Sequence, residues 1–215
     1  MTYYIKEIKE ELTNFEGTIV AATKYFTDQE MREVYTLGLD HFGENRVQNF
    51  LEKYEALSDL PITWHFIGTL QRKKVKKCID KIDYLHSLDH LSLAEEIDKR
   101  RTSPLKCFLQ VNISDEESKH GLSPEEVIPF IKKISHLPNI NLIGFMGMAK
   151  HTDDEDLIAK EFQILNDLQV IVKEQLGLDL KELSIGMSND YKLAIKHNAT
   201  FLRLGSVLFK KEVAQ

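Results

Sequence analysis

Short apolar runs alternate along this chain with longer stretches in which apolar residues recur at helical spacing. The runs are Thr18–Thr23, His41–Gly43, Thr63–Gly68, Tyr84–Ser87, Lys106–Asn112, Leu142–Met148, Glu182–Met187 and Thr200–Gly205. Between them the spacing predicts helices over Asp28–Gly38, Asn45–Ala56, Arg72–Asp80, Ser92–Arg101, Ser123–Ser135, Asp154–Leu176 and Asp190–Asn198, with one more, Tyr3–Phe15, ahead of the first run. Boundary residues support several of these. Ser92-x-x-Glu95 reads as a capping box, Ser123-Pro124 as a cap followed by proline at the first helical position, and Gly38 and Gly177 as stops.

Strands that alternate with helices pair in parallel through right-handed crossovers. Eight strand candidates, each followed by a helix or turn, predict an α/β fold: a single (β/α)8 TIM barrel with an extra N-terminal helix. The alternative, an open doubly wound sheet, wants a Gly-rich fingerprint after its first strand, and Thr23-Lys24-Tyr25-Phe26 is not one. The length, 215 residues, is at the short end for a barrel, and no linker or repeat interrupts it, so residues 1–215 are expected to form one domain.

Composition narrows the partners. A net charge of −6 argues against nonspecific nucleic-acid binding. The run Arg72-Lys-Lys-Val-Lys-Lys77 reads either as a solvated helix face or as an attractor of phosphates, and no aromatic platform is interleaved with it. Cys78 and Cys107 stand far apart, outside any metal-ligand spacing, and are expected to be free thiols in a reducing compartment. The first residues carry charges where a signal peptide needs an apolar core, and no apolar run reaches membrane length. The expectation is a cytoplasmic protein with no membrane contact and no bound metal.

Barrels place their chemistry at the carboxyl ends of the strands. The first strand runs into Lys24, where burial would lower the amine's pKa and make it a nucleophile toward an aldehyde. The last two strands run into Gly186-Met-Ser188-Asn189 and Arg203-Leu-Gly205-Ser206. Glycines admit close backbone approach, and Ser188, Ser206 and the amides of Asn189 and Ser206 offer donors at expected helix starts, a phosphate-ready arrangement. Arg203 and Gly205 share the inward face of the last strand, so Arg203 needs a partner: a structural carboxylate or a ring nitrogen of a ligand. His65 is also inward and reads as a hydrogen-bonded structural residue. Lys119, in the polar loop after the fifth strand, reads as exposed.

Together these segments resemble the YggS/PROSC family, the pyridoxal phosphate homeostasis proteins. The matching stretches are Ala22-Thr-Lys24, Phe42-Gly-Glu-Asn45, Trp64-His-Phe-Ile-Gly-x-Leu-Gln71, Val111-Asn-Ile-Ser-Asp115 with Lys119 and Gly121, Gly144-Phe-Met146, Leu183-Ser-Ile-Gly-Met-Ser188 and Arg203-Leu-Gly-Ser206. The resemblance implies a barrel like the N-terminal domain of alanine racemase. It implies pyridoxal 5'-phosphate as cofactor, held as a Schiff base on Lys24. Ser188, Asn189, Gly205 and Ser206 would hold its phosphate, Arg203 would face its pyridine nitrogen, and Asn45 and Met146 would complete the site.

An arginine at that nitrogen keeps it unprotonated, which makes the ring a poorer electron sink than one held by a carboxylate. The resemblance therefore implies a non-catalytic protein of intracellular vitamin B6 homeostasis that acts as a monomer and delivers cofactor to apo enzymes. The alternative is an amino-acid racemase, which would need a second acid/base opposite Lys24, and no residues are left here for the second domain that supplies it in alanine racemase. A scaffold that binds RNA or protein through Lys73–Lys77 is a third reading. The chain departs from the family pattern at Thr23, at Gly147, at Phe209-Lys210-Lys211, and in a short first helix.

Overall fold

The structure, a computed structural model, describes residues 2–114 and 120–210. Eight parallel strands close into a barrel in the order of the chain: β2 (Thr18–Ala22), β3 (His41–Glu44), β4 (Thr63–Phe66), β5 (Tyr84–Leu88), β6 (Leu105–Gln110), β7 (Ile140–Met146), β8 (Glu182–Ser184) and β9 (Phe201–Leu204). Each lies inside or within two residues of the apolar run that predicted it. A short antiparallel pair was not legible: β1 (Thr2–Tyr3) pairs with β10 (Phe209–Lys210). Two-residue strands carry too little periodicity to be seen in sequence. The pair holds the last described residues beside the first turn of the barrel, where Phe209 packs on Phe26 with ring centroids 4.4 Å apart.

The helices are α1 (Ile5–Glu11), α2 (Asp28–Thr36), α3 (Val47–Ala56), α4 (Val75–Cys78), α5 (Leu91–Arg100), α6 (Val127–Ile134), α7 (Glu155–Leu176) and α8 (Tyr191–Lys196). Caps explain several limits. Thr27 and Glu30 form a reciprocal capping box at α2, and Ser123 and Glu126 form another ahead of α6. Asp154 accepts from the Leu157 amide at the start of α7, and Gly177 ends that helix at φ 68°. The capping box expected at Ser92 does not form: α5 begins one residue earlier, and Ser92 lies inside it. The basic stretch is one turn of α4 between two 3-10 turns, Arg72–Lys74 and Ile79–Lys81. Like charges one turn apart, Arg72 with Lys76 and Lys73 with Lys77, oppose a longer helix there. These side chains are exposed while Val75 and Cys78 are buried, a solvated helix face.

Alternation divides the core in two. Val20, Phe108, Met146 and Phe201 pack together inside the barrel. The larger cluster, which includes Phe42, Phe50, Phe66, Leu85 and Phe162, fills the layer between strands and helices. Each fully buried phenylalanine contributes about 1.5–3 kcal/mol of transfer free energy. Cys78 and Cys107 are free and buried, and burial pushes the Cys78 thiol up to about 12 and the Cys107 thiol up as well. Among the described residues no helix is long and apolar enough to cross a membrane.

Candidate functional site at the carboxyl-terminal mouth

The strand register gathers the predicted residues at one end. Ala22 pairs with Gly43, so Lys24 and Asn45 stand at matching levels just past the ends of neighbouring strands. On the other side Val20 pairs with Arg203, and a Cβ added at Gly205 would lie 3.6 Å from the Ala22 Cβ.

Lys24 is exposed, not buried, in the turn after β2. The expectation of a desolvated amine is therefore corrected: one residue beyond Thr23 the chain leaves the apolar layer. The Lys24 ammonium sits over the Tyr25 ring, 4.6 Å from its centroid, and its hydrogen bond and charge lower the Tyr25 phenol below its ordinary pKa.

What is buried is the support beneath that turn. Thr23 is fully buried, and its hydroxyl donates to Glu44 Oε1 at 2.6 Å. From α3, the Lys53 ammonium donates to the same oxygen at 2.5 Å and to the Thr23 carbonyl at 2.6 Å. Sequence reading assigned no role to Glu44 or Lys53. The available signal was an acid closing the otherwise apolar strand His41-Phe-Gly-Glu44, with a lysine nine residues on. Beside it, Asn45 Oδ1 is buried, and among the described residues no hydrogen-bond partner reaches it. Gly68 packs against Asn45 so closely that a Cβ there would lie 2.3 Å from the Asn45 carbonyl oxygen.

The turns after β8 and β9 are tied together. Ser188 Oγ accepts from the Gly205 amide at 3.1 Å and the Val207 amide at 3.2 Å. Gly186 takes φ 88°, a left-handed conformation that suits glycine. Asp190 accepts from the Met187 amide at 2.6 Å and fixes the loop between them. Neither Ser188 nor Asn189 caps a helix: α8 starts at Tyr191, and no side chain caps it. The chain after Ser206 is a turn leading to β10, so the expected helix starts are replaced by turn amides. Asn189 and Ser206 are exposed, and the Asn189 amide approaches His151 Nδ1 at 3.4 Å. A cavity of about 550 Å3 flanks this turn, lined by His151, Ser188, Asn189, Asp190, Tyr191 and Val207 among others.

Arg203 is 5% exposed and points into the barrel. Its hydrogen-bond partners are neutral oxygens: the Ser184 carbonyl and Ser184 Oγ at 2.6 Å, and the Gly147 carbonyl at 3.0 Å. Burial pulls its pKa down to about 10 against the attraction of Asp190, so it remains a cation at neutral pH. Met146, immediately before Gly147, is buried at the foot of the site. His65 has the structural role expected of it, bound to His41 and His86. Lys119, with Asp115, and Lys211 lie outside the described residues.

These turns lie on a barrel whose profile matches the family described as "Alanine racemase, N-terminal domain" over residues 5–212. Solved alanine racemases share the fold; that of Corynebacterium glutamicum superposes with a TM-score of 0.80 at 10% identity, over 97% of this chain and 60% of that one. PipY of Synechococcus elongatus, in a structure described as having PLP bound, gives a TM-score of 0.87 at 31% identity, covering 96% of this chain and 100% of that one. Fold and site thus define a barrel of the alanine racemase N-terminal-domain type. Among curated relatives, the pyridoxal phosphate homeostasis proteins of Aquifex aeolicus (38% identical over 89% of this chain and 85% of that protein) and Helicobacter pylori (40%, over 90% and 87%) match nearly end to end. The chain belongs to the pyridoxal phosphate homeostasis protein family.

Proposed function

We propose that this chain binds pyridoxal 5'-phosphate at the carboxyl-terminal mouth and serves as a cytoplasmic carrier of that cofactor rather than a turnover enzyme. Arg203 carries the reading: a buried cation, hydrogen-bonded to neutral oxygens, at the level where a ligand ring would lie. The residues fit the group. Asn45 Oδ1 is a buried acceptor with no partner among the described residues. The turns that Ser188 ties together would supply the Ser188 and Ser206 hydroxyls and the amides of Asn189 and Ser206 for a phosphate.

When bound, the cofactor supplies an aldehyde and a pyridine ring able to accept electron density. The remaining chemistry belongs to the chain. Lys24 is the residue whose amine would hold the aldehyde as a Schiff base, with water as the leaving group. Because Lys24 is exposed, the driving force is proximity: a phosphate anchored at Ser188, Asn189, Gly205 and Ser206 holds the aldehyde at high effective concentration near the amine. Arg203 would face the pyridine nitrogen and, as a cation, oppose its protonation, which would disfavour carbanion chemistry. Asn45 and Met146 would lie beside the ring. An exposed Lys24 would also let the cofactor leave, which suits delivery to apo enzymes by a monomeric, single-domain carrier.

The test is transfer. Protein loaded with pyridoxal 5'-phosphate is mixed with an apo enzyme and compared with free cofactor at equal concentration, while L-alanine is assayed for D-alanine. Reactivation without measurable racemisation is expected. Racemase turnover on the order of one per second or faster would overturn the carrier reading.

A further inference from the structure

A line of hydrogen bonds runs through the barrel interior from Arg203 to the opposite, amino-terminal face. Ser184 Oγ, which accepts from Arg203, lies 2.8 Å from His86 Nδ1. His86 Nε2 lies 2.9 Å from His65 Nδ1, and His65 Nε2 lies 2.8 Å from His41 Nδ1. His86 and His65 are fully buried, and His41, the first residue of β3, is half-buried. The rings are held in plane by their neighbours: His86 stacks on Phe108 and His65 on Tyr84, each with centroids 4.4 Å apart.

Only one polarity of this line satisfies every group. Arg203 can only donate, so Ser184 Oγ must accept from it. The Ser184 hydroxyl proton then needs an acceptor, and His86 Nδ1 is the one in reach. That makes His86 an Nε2–H tautomer, which donates to His65 Nδ1; His65 is then also an Nε2–H tautomer, which donates to His41. Each lone pair points toward the Arg203 cation and each N–H away from it, the favourable order in its field. The reverse polarity would crowd two donors onto Ser184 Oγ and leave its own proton without a listener among the described residues.

We propose that Ser184 and His86, backed by His65 and His41, are positioning residues for Arg203: they keep Ser184 an acceptor and so hold the guanidinium aimed at the ligand ring. The inference rests on the reading of Arg203 as the partner of the pyridine nitrogen. The charged groups along the line agree with neutral imidazoles throughout. Arg203 faces His86 and is itself attracted by Asp190. Lys106 lies near His65 and His41, with its ammonium donating to Tyr84 Oη at 2.9 Å, and at His41 it acts against Asp40 and Asp83. Burial lowers the pKa of all three histidines.

Nitrogen-15 NMR of the imidazoles in cofactor-free protein tests the polarity directly. His65 and His86 are expected as neutral Nε2–H tautomers between pH 6 and 8. Ser184→Ala should release the His86 tautomer into a mixture and weaken pyridoxal 5'-phosphate binding by roughly tenfold or more, while Ser184→Thr restores both. An Nδ1–H tautomer at His86, or a Ser184→Ala protein with unchanged tautomer and affinity, would overturn the proposal. If the unsubstituted protein bound no cofactor, the carrier reading would fall, and the tautomers would still judge the relay.

Discussion

Replacing Lys53 by Met should unfold this protein far more readily than any exposed lysine substitution would. The Lys53 side chain is 11% exposed and that of Glu44 is 0% exposed, and the pair shares Glu44 Oε1 with the Thr23 hydroxyl. Met keeps the length of the stem but removes the cation. Glu44 is then a buried carboxylate whose Oε2 already has no hydrogen-bond partner among the described residues. Removing one member of such a pair costs about 3–5 kcal/mol. For a domain of this size that lowers Tm by about 6–20 °C. The effect also reaches the site, because Lys53 holds the Thr23 carbonyl and thereby the turn carrying Lys24. Urea melts of Lys53→Met, Glu44→Leu and the double variant give the coupling through a thermodynamic cycle. The double variant should recover at least ~1 kcal/mol of the summed single losses, since no charge is then stranded. A Lys53→Met loss below ~1 kcal/mol, or strict additivity, would refute the account of how this turn is held.

Three further outcomes follow from the same contacts. Ser188→Ala should strand the Gly205 and Val207 amides, costing about 1–3 kcal/mol in a urea melt, and should weaken pyridoxal 5'-phosphate binding while leaving the weaker binding of unphosphorylated pyridoxal nearly unchanged; equal losses for both ligands would remove Ser188 from the phosphate site. Gly186→Ala should lower Tm by several degrees, because the residue sits at φ 88° and the new Cβ would lie 2.6 Å from the Ala194 Cβ; a wild-type melt would contradict the turn geometry. Stability should fall as pH drops below about 6.5, since the unfolded chain then protonates imidazoles that burial keeps neutral at His65 and His86. The loss between pH 7.5 and 5 reaches up to about 4 kcal/mol for the two, and a flat profile over that range would show that these imidazoles accept protons when folded.

The barrel was legible because its signal is repeated: eight apolar runs, each bounded by a helix or turn, leave little choice of topology. The bounds that failed did so where a local rule met a competing one. Ser92 has the capping spacing, yet α5 starts at Leu91 with His90 before it. The basic helix broke into short turns because like charges stack on it. At the site, the strand-end rule located Lys24, Ser188 and Arg203 correctly at one mouth. It misjudged the burial of Lys24, because periodicity tells where a strand ends and not how far the next side chain stands from the core. Glu44, Lys53 and Ser184 escaped notice because their roles exist only through contacts between distant segments: Lys53 reaches back thirty residues to the Thr23 carbonyl, and Ser184 meets His86 across the barrel. Neither spacing nor residue type records such a meeting.

The central claim is that Lys24 holds pyridoxal 5'-phosphate at this mouth. Borohydride reduction of the loaded protein, followed by peptide mass mapping, tests it most directly. The account predicts a phosphopyridoxyl group on Lys24 and its loss, with the fold intact, in Lys24→Ala. A phosphopyridoxyl group on another lysine, with Lys24 unmodified, would contradict it.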